Sequence, residues 1–139
     1  MKQGEQVDVE LTQYSVHAVS NMLKTFFRTQ PQPIMTFALY DKLVLIGELK
    51  DLAHKSRDLK LALVSLPAAN HHVLHYVFKL LQQVSRASAT NQMTSSNLAI
   101  CLAPSLSWPQ GEQSIEITLS VHKLVSAVMT MIEQVDVVF

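Results

Sequence analysis

The sequence predicts an all-α fold, and three features of its 139 residues support that prediction. Apolar residues recur at intervals of three and four, which places them on one face of a helix, and no segment shows the clear alternation of a strand. Glycine occurs only 3 times and proline 5 times. The prolines fall where the helical pattern breaks, as their missing N–H group requires. These features predict a single helical bundle.

The first two helices are expected to follow Ser15 and Thr36. Ser15 is a favourable N-cap, and Pro31 with Pro33 forbids continuation of the first helix beyond that point. The second helix begins near Thr36 and ends near Gly47, because glycine weakens helices. The apolar residues expected to face the core from these helices are Val16, Val19, Leu23, Phe26, Phe27, Leu39, Leu43 and Ile46.

Four further helices are predicted, at about residues 51–66, 69–85 and 94–102 and after Ser114. Pro67 ends the first of these and Pro104 the third. The residues 105–113, SLSWPQGEQ, have the composition of a surface loop. The buried faces are expected to comprise Val73, Leu74, Val77, Phe78, Leu80, Leu81 and Val84 in one long helix and Ile117, Val121, Leu124, Val128, Ile132 and Val135 in the other.

Composition limits the class of protein. Eleven basic and eleven acidic residues cancel, so no overall field draws the chain to nucleic acid or to an anionic membrane. No run approaches the roughly 18 apolar residues of a membrane span, and the start has no apolar core for a signal peptide. The single Cys101 lies in an apolar run, which favours a buried thiol in a reducing compartment. A cytoplasmic location is expected.

Motifs for catalysis are sparse. His71 and His75 lie four residues apart, but His72 stands where a zinc protease would carry its glutamate, so half-exposed histidines near a helix start are favoured over a metal site. Cys101 is expected to be inert because it is surrounded by apolar residues. No G-x-S-x-G frame and no glycine-rich phosphate loop occurs. These absences disfavour an independent hydrolase or nucleotide-binding enzyme.

A polar stripe on the first helix offers another type of site. His17, Asn21, Lys24 and Arg28 follow spacings of four, three and four, which align their side chains beside the apolar face. A solvated face is the simplest interpretation. Arg28 lies where the helix must stop, so it could cap the last carbonyl groups, whereas Lys24 and Asn21 remain free to contact a partner.

Three motifs resemble those of Rho-family GTPase-activating (RhoGAP) domains. They are MLKTFFRTQPQPIM at residues 22–35, LVSLPAANHHVLHYVFKLLQQV at residues 63–84 and NQMTSSNLAICLAPSLSW at residues 91–108. Their order and spacing are similar to the family's LLKxxLRxLPxPL, LPxxNxxxLxxLxxxLxxV and NxMxxxNLAxxxxPxL. The resemblance covers about residues 7–139 and implies the all-helical RhoGAP fold. Residues 1–139 are then expected to form a single, partial domain that lacks the N-terminal part of that fold.

The resemblance also implies a function and assigns roles to particular residues. RhoGAP domains bind small GTPases of the Rho, Rac or Cdc42 type and stabilise the transferring phosphoryl group, while the GTPase itself holds GTP and Mg²⁺. Lys24 matches the lysine at the GTPase contact surface, and Asn97 matches an asparagine that contacts the GTPase. Arg28 and Pro104 match residues that support the site. The resemblance implies a regulator that needs no cofactor of its own.

The family's catalytic arginine, in a pattern like G-[IL]-[FY]-R, has no counterpart here. Only Arg28, Arg57 and Arg86 occur, and none lies in the expected loop. An arginine finger contributes roughly 10³ to 10⁵ in rate, or about 4 to 7 kcal/mol, so little stimulation of GTP hydrolysis is expected from this chain alone.

Two explanations remain open. The chain is either part of a larger GTPase-activating protein whose finger lies elsewhere, or a non-catalytic module that binds or scaffolds a GTPase. The polar start, residues 1–10, resembles the linker that follows the family's finger helix and favours the first explanation. Missing N-terminal helices would also leave an apolar face uncovered, which favours association with a second copy.

Overall fold

The computed structural model describes residues 16–111 and 115–139; the side chains of residues 16, 17, 19 and 115–119 lie outside this description. The described residues form α-helices and one short 3₁₀ helix, Phe37–Leu39, with no β-strand among them. The α-helices are α1 (Val16–Arg28), α2 (Tyr40–Gly47), α3 (Leu52–Val64), α4 (Ala68–Arg86), α5 (Ser88–Asn91), α6 (Ser95–Leu106), α7 (Ile115–Glu133) and α8 (Val135–Val138).

The predicted all-α class is confirmed. Among the helices that the structure describes, none has both the length and the apolarity that a membrane crossing requires.

Helix α7 occupies the centre of the fold. It packs against α2 and α6 most extensively and also contacts α3, α4 and α8, while α1 packs on α6. One hydrophobic cluster continues through these helices. Its largest fully buried side chains include Met35, Leu43, Leu59, Leu63, Leu74, Phe78, Leu106, Val128, Met131 and Ile132. The bundle therefore forms around α7, whose last three turns contribute Leu124, Ala127, Val128, Met131 and Ile132 to the core.

Most predicted helix boundaries agree with the structure to within two residues. Asp51 caps α3 by accepting a hydrogen bond from the His54 backbone N–H at 2.8 Å, and Pro67 takes the N-cap position of α4 with an extended ψ. The proposed N-cap Ser15 lies outside the described residues. The short helix α5 is absent from the sequence prediction because its four residues, SATN, have no apolar pattern.

The prediction that Pro104 ends a helix is wrong. Helix α6 continues through Pro104 to Leu106. A proline inside a helix has no N–H group to donate to the carbonyl four residues earlier. Here that carbonyl belongs to Ile100. Both Ile100 and Pro104 are exposed, so water can satisfy that carbonyl. The expected surface loop therefore begins later, and Ser105 and Leu106 are buried in the helix.

Some predicted core positions are also exposed. Phe27 is buried, but its neighbour Phe26 is exposed, and the predicted stripe on α4 is rotated so that Val73 and Leu80 face outward. Periodicity finds the apolar side of a helix but does not fix which residue at its edge is covered. The other predicted core residues that are buried in the structure are Leu39, Leu43, Ile46, Leu74, Val77, Phe78, Leu81, Leu124, Val128, Ile132 and Val135.

The end of α2 approaches the backbone of α7 very closely at Gly47. An alanine Cβ built at Gly47 would lie 1.9 Å from the Lys123 carbonyl oxygen. The buried Lys55 of α3 meets the same junction, because its ammonium donates to the Gly47 carbonyl at 3.5 Å and to the Ser126 hydroxyl. Burial lowers the pKa of Lys55. Three helices are thus joined where only a glycine fits.

Candidate functional site

The start of α6 holds Asn97 in a defined local geometry. Thr94 is the N-cap, and its hydroxyl accepts a hydrogen bond from the Asn97 backbone N–H at 3.2 Å. The Asn97 side-chain amide donates to the Gln92 carbonyl at 3.3 Å, and Gln92 itself has a left-handed φ of 61°. The Asn97 side chain is exposed. Its Nδ2 is therefore held locally, and Oδ1, which has no hydrogen bond with a described residue, can accept one from a partner.

The turn before α6 is also fixed to the rest of the fold. Asn91 accepts a hydrogen bond from the Met93 backbone N–H at 2.8 Å and donates to the Val84 carbonyl at 2.9 Å. The Ser95 hydroxyl donates to the Glu133 carboxylate at 2.7 Å. These bonds tie the α6 start to the ends of α4 and α7. The position of Asn97 consequently depends on residues far from it in the sequence.

One face of α6 is exposed along its length. Asn97, Ile100, Cys101 and Pro104 lie on this face, while Leu98, Ala99, Leu102 and Ala103 are buried on the other. The prediction of a buried Cys101 is therefore wrong. Every residue from Ala99 to Ala103 is apolar, so no polar residue indicates which side of the helix faces solvent. The exposure of Cys101 could therefore not be predicted from the sequence.

Helix α1, which carries the polar stripe, packs on α6. Asn21 and Arg28 are exposed and Lys24 is half-buried, and neither Lys24 nor Arg28 forms an ion pair with a described residue. The His17 side chain lies outside the description. We call the outward residues Asn21 and Lys24 of α1 with Asn97 and Ile100 of α6 the α1/α6 surface.

The segment after α1 is held without help from Arg28. Thr29 donates its hydroxyl hydrogen to the Thr25 carbonyl at 2.9 Å, and the Gln30 side chain donates to the Phe26 carbonyl at 3.0 Å. These two residues satisfy the carbonyl groups of Thr25 and Phe26 in the last turn of α1. The Arg28 guanidinium makes no hydrogen bond within the described residues, and it projects into solvent beside the end of the helix.

Asn70 of α4 fixes the same segment from the other side. Its side-chain amide donates to the Ile34 carbonyl at 2.9 Å, and the Met35 backbone N–H donates to the Leu106 carbonyl at 3.2 Å. The prolines of this segment are thus tied to α4 and to the end of α6. Asn70 belongs to the second motif, but the sequence gives no local sign of its positioning role because its acceptor lies 36 residues away.

The histidines of α4 form an aromatic cluster with Phe139. The His75 ring stacks on Phe139 with ring centroids 5.4 Å apart, and His71 meets the same ring edge-on at 5.5 Å. Burial lowers the pKa of His75, and Lys79 lowers it further. Within residues 16–111 and 115–139, no group of three or more His, Cys, Asp or Glu residues is placed to hold a metal ion.

Replacing Thr94 with alanine is expected to lower the free energy of unfolding by about 1 kcal/mol, because α6 loses its N-cap. Urea denaturation monitored by circular dichroism measures this change. Ser96→Ala, two residues later at an exposed position whose side chain makes no hydrogen bond with the described residues, is the matched control and should change stability by less than about 0.5 kcal/mol. Equal effects of the two substitutions would contradict the capping role.

The sequence is similar to a known domain family and to several named proteins. The sequence model of the RhoGAP domain matches residues 1–111. The chain is 39% identical over 109 residues to human Rho GTPase-activating protein 44, covering 78% of this chain and 13% of that protein. It is 33% identical over 140 residues to Rho GTPase-activating protein gacN of Dictyostelium discoideum, covering all of this chain and 23% of that protein. The chain therefore corresponds to a small part of these relatives.

Two solved structures share the fold. Human Rho GTPase activating protein 15 superposes with a TM-score of 0.85 at 20% identity, covering 99% of this chain and 64% of that one. The BH domain of Graf, the GTPase regulator associated with focal adhesion kinase, superposes with a TM-score of 0.83 at 20% identity, covering 91% and 68%. The match of the domain model to most of the chain, together with this fold, shows that the chain belongs to the RhoGAP domain family.

Proposed function

We propose that the α1/α6 surface binds the GTP-bound form of a Rho-family small GTPase, and that the protein containing this chain promotes GTP hydrolysis by that GTPase. Membership of the RhoGAP family is the observation that supports this proposal most directly. The relatives are themselves named as Rho GTPase-activating proteins. GTP and Mg²⁺ belong to the GTPase in this proposal, so the chain needs no cofactor of its own.

The chemistry of the surface suits a protein partner. Lys24 supplies a cation, and the Asn97 Oδ1 supplies a directed acceptor whose own Nδ2 is already engaged. Ile100, which is exposed on α6, offers an apolar contact on the same surface. A few polar residues around an apolar contact are typical of protein interfaces in which orientation matters.

We propose that Arg28 and Pro104 support the structure around the α1/α6 surface, each from a different position. Pro104 lies on the exposed face of α6 within the helix, and Arg28 projects from the end of α1. We propose that residues 1–139 act as one domain unit in a cytoplasmic protein. A non-catalytic scaffolding role is the alternative, because the three arginines of this sequence lack the finger motif.

Binding is tested with Lys24→Ala and Asn97→Ala. Each substitution is expected to weaken the affinity for a Rho-family GTPase at least tenfold, about 1.4 kcal/mol, because each removes a polar contact that the proposed surface makes with the GTPase. Isothermal titration calorimetry against the form loaded with a non-hydrolysable GTP analogue measures the dissociation constant. The form loaded with GDP serves as the reference for nucleotide state.

Two control substitutions separate binding from folding. Lys60→Ala removes an exposed lysine from α3, and Ser96→Ala changes the residue next to Asn97; both should bind as the unmodified chain does. Circular dichroism should show the same helix content in all variants. If Lys24→Ala and Asn97→Ala bind with unchanged affinity, the proposed surface is wrong.

A further inference from the structure

The first turn of α6, residues 95–97, lies outside the hydrophobic core although it carries Asn97. Ser95 is half-buried, and Ser96 and Asn97 are exposed. The first core residue of the helix is Leu98, which is 7% exposed. A segment with few buried apolar contacts is held weakly by packing. The orientation of this turn therefore depends on its hydrogen bonds.

Glu133 of α7 connects this turn to another helix. The Ser95 hydroxyl donates to the Glu133 carboxylate at 2.7 Å, whereas the side-chain amide of Asn97 bonds to the carbonyl of Gln92 in the preceding segment. A hydrogen bond to an ionised carboxylate is roughly twice as strong as one between neutral groups. The negative charge also lies beside the N-terminal end of α6, where the helix dipole stabilises it.

The core holds the backbone of Glu133 in place. Glu133 follows Met131 and Ile132, which are both fully buried in the central helix α7. Its carbonyl accepts a hydrogen bond from the Gln82 side chain of α4 at 3.4 Å. Glu133 forms no ion pair with a described residue, so no salt bridge within that part of the chain competes with Ser95. Glu133 is thus a fixed anchor for the start of α6.

We propose that Glu133 is a positioning residue for GTPase binding, because through Ser95 it fixes the first turn of α6 and with it the direction of the Asn97 side chain. This inference rests on the proposed function, since it concerns the same α1/α6 surface. Glu133 itself is not part of that surface, and it lies beyond the residues 1–111 that the family model matches. A loosened Asn97 would have to be ordered when the partner binds, and this ordering lowers affinity.

Substitutions of Glu133 test the proposal by isothermal titration calorimetry against a Rho-family GTPase loaded with a non-hydrolysable GTP analogue. Glu133→Ala is expected to weaken the affinity about fivefold. Glu133→Gln keeps an acceptor oxygen at the same distance from the backbone, so it should bind within about twofold of the unmodified chain. Asp136→Ala is the matched control, since it removes an exposed carboxylate from α8 and should leave the affinity unchanged. A glutamine variant as weak as the alanine variant would contradict the role of the hydrogen bond.

Two double variants show whether Glu133 acts through Ser95 and Asn97. Ser95→Ala should weaken binding as much as Glu133→Ala does, and the two together no more than either alone, because both remove the same bond. Added to Asn97→Ala, Glu133→Ala should cause no further loss, since the side chain that it orients is absent. A purely structural role would instead lower the affinity of the Asn97→Ala chain again, and that result would overturn the proposal.

The side-chain amide of Asn97 reports the same effect without a GTPase. Its NMR order parameter in the unbound chain should fall in Glu133→Ala and be retained in Glu133→Gln. An order parameter that Glu133→Ala leaves unchanged would overturn the positioning role, and so would full affinity of Glu133→Ala where Asn97→Ala binds more weakly. Full affinity of Asn97→Ala itself would show that the proposed surface is wrong, and the role of Glu133 in binding would fall with it.

Discussion

Replacing Gly47 with alanine is expected to lower the free energy of unfolding by about 3 kcal/mol, in the upper part of the range for overpacked positions. The added Cβ would lie 1.9 Å from the Lys123 carbonyl oxygen, and this neighbour is backbone, which cannot turn aside as a side chain does. Alanine would gain only about 1 kcal/mol from its higher helix propensity, so the clash dominates. Urea denaturation measures the difference between the variant and the unmodified chain.

The contacts around Gly47 make this position hard to rearrange. If α2 moved away from α7, the Lys55 ammonium would lose its hydrogen bonds to Gly47 and Ser126, and the ion pair between Lys123 and Glu48 would break. Gly111→Ala is the contrasting control, because nothing lies within 4 Å of its added Cβ. Its φ of 97° should cost only about 1 kcal/mol. A Gly47→Ala variant as stable as the unmodified chain would contradict this account of the helix contact.

The chain alone is expected to stimulate GTP hydrolysis very little, even when it binds the GTPase. Its three arginines all lie outside a finger motif: Arg28 at the end of α1, Arg57 within α3 and Arg86 at the end of α4. An arginine finger contributes roughly 10³ to 10⁵ in rate, and docking without it cannot supply that charge. Single-turnover hydrolysis with Rho, Rac and Cdc42 measures the stimulation directly.

A RhoGAP domain that carries the G-x-F-R motif is the positive control for this assay, and the intrinsic rate of each GTPase is the baseline. A rise of three orders of magnitude with the present chain would show that one of its arginines acts as the finger. In that case the substitutions Arg28→Ala, Arg57→Ala and Arg86→Ala would identify the acting arginine, because only its replacement would abolish the stimulation.

The sequence predicts the helices well because local rules decide where they begin and end. Pro67 ends one helix as expected, since it takes the N-cap position of α4. Pro104 does not, because its helix face is exposed and the carbonyl of Ile100 can bind water instead. The same residue type thus has opposite effects in two places. The difference depends on solvent exposure, which is a property of the tertiary fold.

The candidate site is predictable in part. The motifs lead to Lys24 and Asn97, and the structure places their helices against one another, although the binding role of both residues remains a prediction. The left-handed Gln92 gives no signal, because glycine or asparagine is usual in that conformation. The bond from Ser95 to Glu133 spans 38 residues. The exposure of Cys101 is not predictable from the sequence, because a run of apolar residues does not indicate which side of the helix packs.

The hydrogen bond between Asn97 and the Gln92 carbonyl bears on the thermodynamics of binding. A free surface asparagine samples several rotamers and loses that freedom when a partner immobilises it, at a cost of about 0.5 to 1.5 kcal/mol. Asn97 has already lost much of this freedom in the unbound chain. Its acceptor atom is therefore oriented before the proposed GTPase partner binds. The entropic penalty then falls on folding, where the hydrogen bonds of the capped turn offset it.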